Sequence, residues 1–77
     1  MHKLTREQSA RYNNLLDEKS RVVQLLQYSQ NRRRELQQRK APAWMIERYT
    51  QDIEDFMQRL ERMESEIGDL IDLQYRR

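Results

Sequence analysis

The chain offers one histidine, His2, one glycine, Gly68, and no cysteine. Acyl transfer of the Ser-His or Cys-His kind needs a base held against its nucleophile. A histidine beside the first residue reads instead as a bystander. Glu61 and Glu64 would share one face of a helix, the starting point for a carboxylate metal site. Such sites in helical bundles also require a Glu-x-x-His element on other helices, and none is present. With Glu54, Asp55, Asp69 and Asp72 these carboxylates read as a solvated face. A single glycine leaves nothing from which to build a phosphate-cradling loop. The sequence therefore predicts no catalytic residue, no metal, no cofactor and no small-molecule substrate.

The other polar feature is basic. Arg32, Arg33 and Arg34 run together, followed by Arg39 and Lys40. Consecutive residues fan out by about 100° on a helix, so the three arginines cannot form one patch. Arg32 with Arg39, and Arg33 with Lys40, fall seven apart and share faces. Arg32, Arg34, Arg39 and Lys40 are thus candidates for holding phosphates of RNA, more readily than DNA, with Tyr28 near enough to stack on a base. The plainer reading is that they solubilise a helix end, complement its dipole and pair with acids such as Glu35 and Glu47. A balance of 15 basic to 13 acidic residues also favours that plainer reading over nucleic acid.

The elements that carry these residues follow from composition. Gly and Pro occur once each in 77 residues and charged residues make up 36%, which favours long helices over strands and turns. The only punctuation is Lys40-Ala41-Pro42-Ala43. Pro42 disfavours helical backbone at Ala41 and suits the first turn of a following helix. It divides one domain into helix one, about 5–39, and helix two, about 43–75. Thr5 and Gln8 have the spacing of a capping box. Residues 1–41 hold ten bases and four acids, and residues 42–77 hold five and nine, so the halves carry +6 and −4.

Helix two bears the clearer pattern. Ile46, Tyr49, Ile53, Phe56, Leu60, Met63, Ile67 and Leu70 alternate at three and four residues, the a and d positions of four heptads. Met45, Met57, Ile71 and Leu73 stand at e and g and widen the stripe, which implies contact with more than one helix. Helix one follows the same spacing through 12, 15, 19, 22, 26, 29, 33 and 36, interrupted by Lys19, Ser29 and Arg33. Gly68 falls at an exposed b position, where it costs about 1 kcal/mol relative to Ala.

Matched lengths and opposite charges predict an all-α, antiparallel, coiled-coil-like hairpin. Lys19 would then lie beside Met63 and Glu64 and reach that carboxylate. The break lacks Gly or Asn to end helix one, so a kinked continuous helix in an antiparallel dimer is the alternative. Apolar residues are only 36% of the chain, so burial roughly offsets ordering entropy and company is expected. That company is a second copy completing a four-helix bundle, or a helical protein partner. No apolar run suits a membrane span or a secretory signal, and a cytoplasmic location is expected.

The leading expectation is a protein-binding module acting through Ile53, Phe56, Met57, Leu60, Met63, Ile67, Leu70 and Ile71. Leu60→Asp would abolish its assembly. Trp44 either staples the turn onto helix one or stands exposed as a binding hot spot. Adaptor, co-chaperone and inhibitor roles all fit. In length and helix pattern, though in no motif, the chain resembles three kinds of small helical protein. These are plasmid RNA-binding four-helix dimers of the Rop type, co-chaperones of type III secretion needles, and phage-encoded inhibitors of host machinery.

Overall fold

A computed structural model describes residues 4–75 and consists of two helices. These are α1, Arg6–Gln38, and α2, Ala43–Tyr75. His2 lies outside the described residues. Thr5 caps α1 as its spacing foretells. The Gln8 amide donates to Thr5 Oγ1 at 3.1 Å, and the Thr5 amide donates to Gln8 Oε1 at 2.9 Å. Two of the amides that every helix N-terminus leaves unpaired are thereby satisfied.

α1 ends without glycine. Lys40 itself takes the left-handed conformation, at φ 54°. The Ala41 amide then donates to the Leu36 carbonyl at 2.9 Å and the Lys40 amide to the Gln37 carbonyl at 3.2 Å. This is the Schellman closure, with lysine in the position glycine usually fills. Pro42 sits one residue ahead of α2 rather than within its first turn, and its carbonyl accepts from the Met45 amide at 3.1 Å. The chain reverses in four residues, so the helices pack antiparallel into a rod of 56 × 16 × 15 Å and the continuous-helix alternative does not occur.

The two heptad stripes face each other. All eight positions of the α2 stripe, Ile46 to Leu70, are buried or half-buried, and so are all eight of the α1 stripe. Leu15, Val22, Met63, Ile67 and Leu70 form the main cluster, with Tyr12, Phe56 and Leu60 packed against it. Leu36 and Ile53 are buried nearer the turn. The three polar interruptions of the α1 stripe keep their seam positions. Ser29 is buried, Arg33 is half-buried, and Lys19 runs its stem along the seam to place Nζ 3.6 Å from Glu64 Oε1. With so few fully buried side chains, each accounts for a large share of the stability.

Candidate functional site

Heptad geometry sorts the remaining side chains onto two flanks of the seam. About 50° separates a seam position from its e or g neighbour, so those neighbours border the pair of helices instead of lying between them. On one flank α2 presents Met57, Glu64 and Ile71, and α1 presents Leu16 and Val23. Met57 is 55% exposed, Leu16 41% and Ile71 37%, while Val23 is half-buried. A shallow groove bounded by Leu26, Met57, Leu60 and Glu64 runs along this flank. The Lys19–Glu64 ion pair interrupts it.

The opposite flank is polar. Arg11 donates to Glu66 through Nε and Nη2, both at 2.9 Å, in a two-pronged bridge between the helices. That geometry holds the Glu66 carboxyl below its ordinary range, chiefly through the hydrogen bonds; partial burial opposes the effect and the Arg11 charge reinforces it. Arg32 donates to Glu35 Oε2 at 2.8 Å within α1. Hydrogen bonding with Tyr49 of α2, then the charge of Glu35, raises the Arg32 guanidinium pKa. Leu25 and Leu73 are exposed apolar residues on this side.

The residues singled out from the sequence therefore divide. Ile53, Met63, Ile67 and Leu70 are buried within the chain's own seam. Phe56 and Leu60 are half-buried against the core. Met57 and Ile71 remain outside it. Trp44 is 65% exposed and lines a surface depression with Met45, Arg48, Tyr49 and Asp52, so it does not staple the turn onto α1. Leu16, Val23 and Leu26 join the apolar flank although the stripe of helix two did not point to them. Their signal was present in α1, since Leu16 and Val23 stand seven apart, beside the seam positions 15 and 22.

The basic residues lie along the last turns of α1 and at the turn that follows. Arg32 is engaged with Glu35 on the polar flank. Arg34 shares a polar depression with Gln30, Asn31, Arg33 and Gln37. Arg39 and Lys40 are exposed at the turn. Among the described residues, no group of carboxylates gathers in a way that could hold a metal ion. No helix there is long and apolar enough to cross a membrane. Comparison of the chain with protein-family models, with curated proteins and with solved structures finds no match.

Proposed function

We propose that the hairpin is a non-catalytic protein-interaction module whose working surface is the apolar flank bordered by Leu16, Val23, Leu26, Met57 and Ile71. One observation carries this reading. After the seam has closed, Met57 is still 55% exposed in the middle of α2, with Leu16 and Ile71 open on the same flank. Single exposed apolar side chains are ordinary, whereas three on one edge beside an apolar groove support reading that edge as a binding surface. Leu60 packs against the core as well as bordering the groove, so Leu60→Asp would damage folding and binding together. Met57→Asp is the cleaner variant.

Binding of RNA through Arg32, Arg34, Arg39 and Lys40 is the lesser reading, because Arg32 is already paired with Glu35 and the chain's bases and acids nearly balance. Affinity for mixed nucleic acid that falls steeply with salt would revive it.

Hydroxyl-radical footprinting tests the interaction reading. Met57 and Ile71 are expected to become protected when the chain is concentrated or returned to its native lysate, relative to the dilute purified chain. Equal labelling under all these conditions would sink the proposal.

A further inference from the structure

Resting on that reading of the apolar flank, we infer that its occupant is a second copy of this chain. The two copies are related by a twofold axis running along the hairpin, so that α1 of each packs against α2 of the other and both turns lie at the same end.

Size makes this feasible. A face 56 Å long and 16 Å wide covers about 900 Å², against the roughly 800 Å² per partner of an ordinary stable interface. A second hairpin of the same length covers the whole of it, and the four helices then enclose Met57, Leu16 and Ile71 together with the Lys19–Glu64 ion pair.

Charge selects the orientation. α1 holds seven bases and four acids, whereas α2 holds three bases and nine acids. The difference continues along the flank itself. Arg6 and Arg34 stand on its α1 edge, and Glu47, Glu54 and Glu61 fall seven apart on its α2 edge. A twofold along the rod brings Arg34 of each copy near the height of Glu47 of the other and makes every neighbouring pair of helices antiparallel. A twofold across the rod would stack α1 on α1 and α2 on α2, with like charges opposed. Exposed pairs add little affinity, but opposed like charges discriminate between arrangements.

Register agrees with this orientation. The Lys19–Glu64 contact places Val23 within about one helical turn of Met57 in height, so the partner's copy of one lies near the other. Gly68 lies on the α2 edge between Glu64 and Ile71, and a Cβ built there would meet nothing within 4 Å. Nothing within the hairpin requires glycine at that position. A second helix approaching that edge gives it a use.

The test combines mass with distance. Sedimentation equilibrium should give twice the 9.6 kDa chain mass, and Met57→Asp should weaken association at least tenfold while keeping its helical circular dichroism. Because the chain has no cysteine, a spin label at Gln38→Cys reports one site per copy. Labels within about 30 Å fit turns at the same end, whereas the reversed dimer separates them by about 50 Å. A dimer with the long distance overturns the inference. So does a monomer, and Met57 protection in native lysate by some other protein would then leave the interaction reading standing. A monomer whose Met57 is protected nowhere removes both.

Discussion

The Ala41 amide reaches back 2.9 Å to the Leu36 carbonyl, across a lysine held in left-handed backbone. This one bond satisfies a carbonyl that the end of α1 would otherwise leave open, and it turns the chain toward α2. The cost falls on Lys40, whose Cβ is crowded at φ 54°.

Lys40→Gly should therefore stabilise the hairpin by about 1 kcal/mol, the penalty for a non-glycine residue there less the added freedom of the unfolded chain. Lys40→Val should destabilise it, since branching at Cβ worsens the same clash. Urea unfolding of the two variants checks both signs. A loss of stability in the glycine variant would mean that the lysine side chain matters more than its backbone.

Acid should weaken the rod through the Arg11–Glu66 bridge. The Glu66 carboxyl is depressed below its ordinary value of 4.5, so its contribution is fully present above that pH. It is lost as pH falls through the lower, folded value. Both side chains are about half exposed, so the effect should be small and diminish with salt. Glu66→Gln should flatten the stability profile below pH 4.5. Titration of Glu66 by NMR at or above its ordinary value would contradict the geometry.

Trp44→Ala should change hairpin stability by less than about 0.5 kcal/mol, as for a surface position without buried partners. Trp44 is the chain's one tryptophan, so its fluorescence should be readily quenched by iodide in the dilute protein. A shielded indole, or a loss of several kcal/mol on truncation, would restore the role of staple at the turn.

Gly68→Ala separates folding from assembly. Helix propensity should stabilise the isolated hairpin by about 1 kcal/mol, because the added methyl meets nothing within the chain. The same methyl should weaken self-association if a second helix lies close to that edge. Thermal melts at widely spaced concentrations distinguish the two effects. A variant that gains equally at every concentration would show that edge to be open.

Much of this architecture is written in side-chain spacing. An unbroken three-and-four alternation from Ile46 to Leu70 admits only a helix with one buried stripe. Thr5 and Gln8 mark where α1 starts, because a short side chain and a long one three residues apart can satisfy each other's backbone. Even Lys19 beside Glu64 follows from folding two equal helices back at Pro42.

What the stripe alone leaves open is rotation. Side chains about 50° off the seam are covered or bare according to how one helix is turned against the other, and that angle is set by the fit of all the seam residues together. Only the packed structure decides that Met57 and Ile71 stay outside while Ile53, Met63, Ile67 and Leu70 do not. It likewise decides that Trp44 stands exposed and does not pack onto α1. Lys40 is the sharpest instance. Local preference argues against left-handed lysine, yet burial along two 33-residue helices outweighs a penalty of about 1–2 kcal/mol at one residue.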